Sequence, residues 1–136
     1  MQILIVEDSN TSRMYLKEIL KEITENLDAD IDCAVSGEEA LEKFERKWIE
    51  GNPCDLIFMD IILPGMDGLQ TLEKIRAIEQ EKQIADDKKL KAIMTTALDD
   101  NTKASRAFFK CEALSYMTKP ITAEKIRSEL DKFGMI

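Results

Sequence analysis

Five short apolar runs, each closing on polar residues and each followed by a stretch with helical spacing, constrain this chain more than any other feature. The runs cover residues 2–6, 31–35, 56–59, 90–94 and 113–118. Four to six residues rich in Ile, Leu, Val and Phe have the length and chemistry of strands in a buried sheet. Between and after them apolar residues recur three and four positions apart. They are Leu16, Ile19, Leu20 and Ile23; Leu41, Phe44 and Trp48; Leu69, Leu72 and Ile75; Ala104, Ala107, Phe108 and Cys111; and Ile126, Leu130 and Phe133. Helix caps stand before these stripes: Ser9 and Asn10, a capping box in Ser36-Gly37-Glu38-Glu39, Asp67-Gly68, then Asp99, Asp100 and Asn101, and finally Thr122. Gly51-Asn52-Pro53 breaks the chain ahead of the third run. Strict alternation of strand and helix predicts an α/β domain, a parallel sheet covered on both faces by right-handed crossovers. In the second run Ile31, Cys33 and Val35 alternate with Asp32 and Ala34, a half-polar pattern that suits a sheet edge. The order 2-1-3-4-5 satisfies this and sets the first and third strands side by side at the switch point. Residues 79–89 hold only Ile84 and Ala85 as apolar members. They read as a frayed helix end and a solvated loop without chemistry.

Composition narrows the classes of function. A length of 136 residues suits one domain, residues 1–136. A net charge of −8 repels phosphates and argues against nucleic acid as a direct partner. Cys33, Cys54 and Cys111 are odd in number and lack CxxC spacing, so neither a disulfide framework nor a zinc site is indicated, and a reducing cytoplasm is the expected compartment. No apolar run reaches the length of a membrane span, and the first run is too short for a signal-peptide core. The chain has no histidine, which removes the usual general base and any phosphohistidine on the chain itself. Only Gly134-Met135-Ile136 follow Phe133, so the expectation is a module that acts alone or a sequence that ends early.

The polar residues that close the runs point to one chemistry. Glu7-Asp8 follow the first run, Asp60 the third, Thr96 the fourth and Lys119 the fifth. In a sheet of order 2-1-3-4-5 they meet at one end. Three carboxylates so close raise one another's pKa unless a cation neutralises them. Oxygen ligands without His or Cys select a hard ion, and an open site of this kind suits Mg²⁺. The metal and Lys119 can bind the oxygens of an incoming phosphoryl group, Thr96 offers them a hydroxyl, and Asp60 is the nucleophile that becomes an acyl phosphate. Taken singly, each residue has a plainer reading: a helix cap, a strand end, a solvated charge before Pro120. Four strand ends that all suit one mechanism favour the site.

These residues also carry a family resemblance that covers essentially the whole chain. Glu7-Asp8, Asp60 with Leu63-Pro64-Gly65-Met66-Asp67-Gly68, Thr96-Ala97, Tyr116 and Lys119-Pro120 resemble the motifs of a receiver domain of a two-component response regulator, of the single-domain chemotaxis or relay type. The resemblance implies a doubly wound, flavodoxin-like fold with five strands and five helices. It implies Mg²⁺ held by Glu7, Asp8, Asp60 and the backbone carbonyl of Ile62, and phosphoryl transfer to Asp60 from a histidine kinase or histidine phosphotransfer protein. Thr96 and Tyr116 become switch residues, with a downstream protein partner on the face of the fourth helix, fifth strand and fifth helix. Ile62 and Leu98 become the pair flanking the path of a hydrolytic water. The chain departs from the pattern in Glu7, where Asp is usual, in Leu63, where Met is common, and in Glu112, where Gly often stands. Two alternatives share parts of the pattern. A phosphatase of the haloacid dehalogenase kind wants an Asp at position 62, which is Ile. A flavin-binding flavodoxin-like protein wants a phosphate loop where Glu7-Asp8 stand.

Overall fold

The computed structural model describes residues 1–97 and 101–136, and of residues 101, 102, 108 and 109 the backbone alone. Along the chain run β1 (Gln2–Val6), α1 (Asn10–Ile23), β2 (Asp30–Ala34), α2 (Gly37–Ile49), β3 (Leu56–Asp60) and α3 (Gly68–Glu81). A 3-10 turn at Asp86–Lys88 precedes β4 (Lys91–Thr96). Then come α4 (Asn101–Ser105), a π-helical turn over Arg106–Lys110, β5 (Ser115–Thr118) and α5 (Ala123–Lys132). All strand pairs are parallel and the order is β2-β1-β3-β4-β5, as the edge character of the second run predicts.

Because side chains alternate across a strand, the central strands feed two cores. Leu4, Val6, Ile57, Met59, Ala92 and Met94 face α2, α3 and the π turn, where Phe44, Leu72 and Ile75 meet them. Ile3, Ile5, Phe58 and Ile93 face α1 and α5, with Leu16, Leu20, Ile126 and Leu130. The caps hold as well. Ser9, Ser36, Asp67 and Thr122 each accept the backbone N–H three residues on, and Asp67 forms a full capping box with Gln70.

Several expectations need correction. Val35 lies beyond β2 and is 43% exposed, whereas Ala34 is the strand's buried residue. At a sheet edge the side facing the α1 layer is only half covered, so Ile31 and Cys33 are partly buried while Ala34 packs in the α2 layer. The Ser36 cap is made, but the Glu39 carboxylate turns to Lys43 Nζ, 3.6 Å away. β5 begins at Ser115 rather than residue 113, because Glu112 takes a left-handed φ of 56° and Ala113 N donates to Ala107 O at 2.8 Å, closing the π turn. Residues 79–89 are not wholly solvated. Glu79 is 1% exposed, accepts from Arg76 Nη1 at 2.7 Å and from Leu90 N at 2.7 Å, and α3 continues to Glu81. Asp99 and Asp100, expected as caps, lie outside the described residues, as do the side chains of Asn101 and Phe108.

Candidate functional site

The carboxyl edge of the sheet at β1 and β3 is acidic because both strands end there in carboxylates that their neighbours hold in place. Glu7 continues β1 by one residue, its N–H donating to Ala34 O at 3.1 Å, and it is 5% exposed. Its Oε1 accepts from Ser9 N at 3.2 Å. Asp60 closes β3 opposite Thr95 and is 6% exposed. Its Oδ1 accepts from Ile62 N at 3.0 Å, so the turn after the strand orients the carboxylate. Gly68 lets α3 start directly beneath: a Cβ there would stand 2.2 Å from Asp60 O. Asp8, exposed, completes a group in which one oxygen from each of Glu7, Asp8 and Asp60 lies within 4.8 Å of the others. Among the described residues it is the one such group of potential metal ligands.

Lys119 reaches into this cluster from the end of β5. Its Nζ donates to Glu7 Oε2 and to Asp60 Oδ2, both at 2.9 Å. Its backbone N–H donates to Thr96 O at 2.7 Å, tying the β5 end to the β4 end, and its peptide bond to Pro120 is cis. Burial holds the Glu7 carboxyl above the usual range, with the Asp60 carboxylate pushing the same way and Lys119 opposing. Burial would lower the Lys119 ammonium, yet its hydrogen bonds to Glu7 and Asp60 outweigh that and the pKa is raised. Three carboxylates against one ammonium leave two negative charges in excess. An oxygen-only donor set with this surplus fits a hard divalent cation such as Mg²⁺.

The remaining site candidates fall around this centre. Thr96 is buried at the end of β4, beside Thr118 of β5. Tyr116, in register with Met94, is half-buried and packs against the α2–α3 core. Ile62 is 50% exposed just past Asp60, and Leu98 lies outside the described residues. Sequence reading did not single out Arg13, whose Nη1 donates to Glu7 O at 2.9 Å and Nη2 to Asn10 Oδ1 at 2.8 Å. Its signal was a cation one turn inside the helix that follows the acidic pair.

A parallel sheet of this order, with carboxylates from β1 and β3 and a lysine from β5 at its switch point, defines the class of two-component signalling receivers. The profile described as the response regulator receiver domain matches residues 3–131, and the chain belongs to that family. The chain is 30% identical over 131 residues to the chemotaxis protein CheY of Bacillus subtilis, a match covering 96% of this chain and 95% of that protein. It is 34% identical over 137 residues to hybrid signal transduction histidine kinase A of Dictyostelium discoideum, covering 96% of this chain and 6% of that protein. The chain thus spans 6–7% of the length of the hybrid kinases it matches. Among solved structures, the CheX-CheY-BeF3-Mg²⁺ complex of Borrelia burgdorferi superposes with a TM-score of 0.71 at 25% identity, covering 98% of this chain and 89% of that one. Receiver domains are signalling modules. No helix among the described residues is long and apolar enough to cross a membrane.

Proposed function

We propose that this chain is a phosphoacceptor regulator whose Asp60 takes a phosphoryl group from the phosphohistidine of a histidine kinase or histidine phosphotransfer protein. The observation that carries the reading is the single ammonium of Lys119 bridging Glu7 and Asp60 at the carboxyl edge of the sheet. An Asp60 oxygen attacks phosphorus, the P–N bond of the donor breaks, and its electron pair returns to the imidazole. Glu7, Asp8 and Asp60 would hold Mg²⁺, joined by the Ile62 carbonyl as family resemblance implies. The bound ion supplies charge neutralisation for the carboxylates and the phosphoryl oxygens. Lys119 gives up part of its contact with Asp60 to bind a phosphoryl oxygen, and the Ile62 N–H keeps the acceptor carboxylate oriented. The Thr96 hydroxyl then bonds another phosphoryl oxygen, and Tyr116 follows inward. That step biases the α4-β5-α5 face towards a downstream protein partner.

The donor has a surface to approach. Met14 and Tyr15 are exposed on α1, and Tyr15 lines a cavity of about 260 Å³ that runs to Lys119 and Glu7. The acidic balance of the chain supports protein rather than nucleic acid partners, and cytoplasmic action accords with a cytoplasmic donor. We assign no catalytic turnover on other substrates. Position 62, where an aspartyl phosphatase of the haloacid dehalogenase kind needs its acid, is Ile, and Glu7 with Asp8 would repel a flavin phosphate.

The test is mass spectrometry after incubation with a small-molecule phosphodonor and MgCl₂. One phosphate is expected on the wild type, and none on Asp60→Asn or in EDTA. Equal labelling of Asp60→Asn overturns the assignment.

A further inference from the structure

Residues 7–13 close on themselves through Glu7 and Arg13. The Glu7 N–H is held by Ala34 O and its Oε1 by Ser9 N, at 3.1 and 3.2 Å. Its carbonyl oxygen accepts from Arg13 Nη1 at 2.9 Å. The other arm of the guanidinium donates to Asn10 Oδ1 at 2.8 Å, and the Arg13 N–H donates to Ser9 O at 2.9 Å. The fork therefore grips both the strand end and the first turn of α1, and its partly buried position leaves it little freedom to turn. The carbonyl it holds belongs to the peptide plane shared by Glu7 and Asp8. Glu7 has other anchors, Ser9 and Lys119. Asp8 is exposed and takes its direction from the backbone, so the orientation of that plane decides whether its carboxylate stays within 4.8 Å of Glu7 and Asp60.

We infer that Arg13 is a positioning residue for the divalent cation: it fixes the Glu7–Asp8 peptide and so aims the Asp8 carboxylate at the cluster. The inference rests on the reading of that cluster as the Mg²⁺ site. It also makes an unusual demand on sign. Arg13 is a cation close to an acidic site, so by charge alone its removal tightens the binding of another cation. Removal of a positioning group loosens it instead, because a ligand held off target loses affinity as a shell residue does.

The experiment is isothermal titration of the intact chain with MgCl₂ alone, beside urea unfolding of each protein. Arg13→Gln is expected to bind Mg²⁺ at least about ten-fold more weakly than wild type, in the range ascribed to lost outer-shell partners. Arg13→Lys keeps the charge but has one ammonium in place of the fork, and is expected to fall between the two. Mg²⁺ binding to Arg13→Gln that is equal to wild type or tighter overturns the inference. Should Arg13→Gln fail to fold, Arg13→Lys decides, and an affinity equal to wild type overturns it. A wild type that binds no Mg²⁺, or Glu7→Gln and Asp60→Asn that bind as wild type does, overturns the metal-site reading and this inference with it. Wild-type binding that these two variants lose, with Arg13→Gln unchanged, overturns the inference alone.

Discussion

Glu7 sits in an unfavourable place in the absence of a cation. It is buried, its carboxyl is raised above the ordinary 4.5 chiefly by that burial, and it shares one ammonium with Asp60. The folded state therefore holds the Glu7 proton more tightly than the unfolded chain does. As pH rises above 4.5 and through the folded value, the unfolded chain releases the proton first, and stability falls. Glu7→Gln abolishes that slope and leaves Lys119 paired with Asp60 alone, so no buried charge is stranded. In EDTA, Glu7→Gln is expected to be more stable than wild type at pH 7, with the gain vanishing as pH falls towards 4.5. Urea midpoints across that interval check the sign, and a variant less stable than wild type at every pH refutes it. The proposed phosphoryl group gives Ile62 a prediction of another kind, on lifetime. On the proposed function, Ile62, half-exposed beside Asp60, would offer a water no side-chain partner, and its bulk would hinder in-line attack on an acyl phosphate. Ile62→Asn is expected to hasten loss of the phosphoryl group several-fold by positioning that water. A decay rate within a factor of about two of wild type, roughly 0.4 kcal/mol of barrier, means that Ile62 does not control it.

At the scale of elements, the end of α3 is bolted to two other segments. Arg76 donates to Glu79 at 2.7 Å, to Leu90 O at 2.8 Å, and to Cys111 O and Glu112 O at 2.9 Å. Glu79 in turn takes the Leu90 N–H at the approach to β4. Removal of Glu79 leaves a largely buried guanidinium without its counter-charge and a buried backbone N–H without its acceptor. Glu79→Ala is expected to cost about 3 kcal/mol or more. The exposed Arg46–Glu50 pair, 3.9 Å apart, is the control, with Glu50→Ala costing less than about 1 kcal/mol. Equal urea midpoints for the two variants would contradict this account. Glu79 was legible in principle, since it continues the stripe of Leu72 and Ile75 seven residues on from Leu72. The charged run around it argued for solvent, and partners 11 to 36 residues away in sequence gave no local sign of the bolt. The π turn was hidden for the same reason, whereas Glu112, standing where Gly often does in similar domains, carried a sign of its left-handed φ. Both are set by the packing of Ala107 and Cys111 against the sheet and by the carbonyls that Arg76 collects, not by local propensity.

At the scale of the molecule, the site exists only because the sheet is wound from the middle. Lys119 is 112 residues from Glu7 and 59 from Asp60, yet it bonds both, since β1, β3, β4 and β5 end at the same edge. This was the most legible part of the chain. Alternation supplied the parallel sheet, the half-polar β2 supplied the edge, and together they left the first and third strands as neighbours. What the same reading could not supply was how each carboxylate is held, because the Ile62, Ser9 and Arg13 contacts are matters of turn geometry.

The direction of α2 has one more consequence. The helix starts at the edge where the carboxylates lie and runs to the opposite edge, where Lys47 reaches Gln2 at 3.3 Å. The chain's only tryptophan, Trp48, is thereby carried roughly 17 Å along the helix from its beginning. Its indole packs against the core, so its emission follows unfolding and is blind to what fills the acidic pocket. The phenols lie elsewhere: Tyr15 lines the cavity that runs to Lys119, and Tyr116 sits on β5. Excited at the red edge of the indole band, where phenols do not absorb, Trp48 reports stability alone from an unlabelled sample.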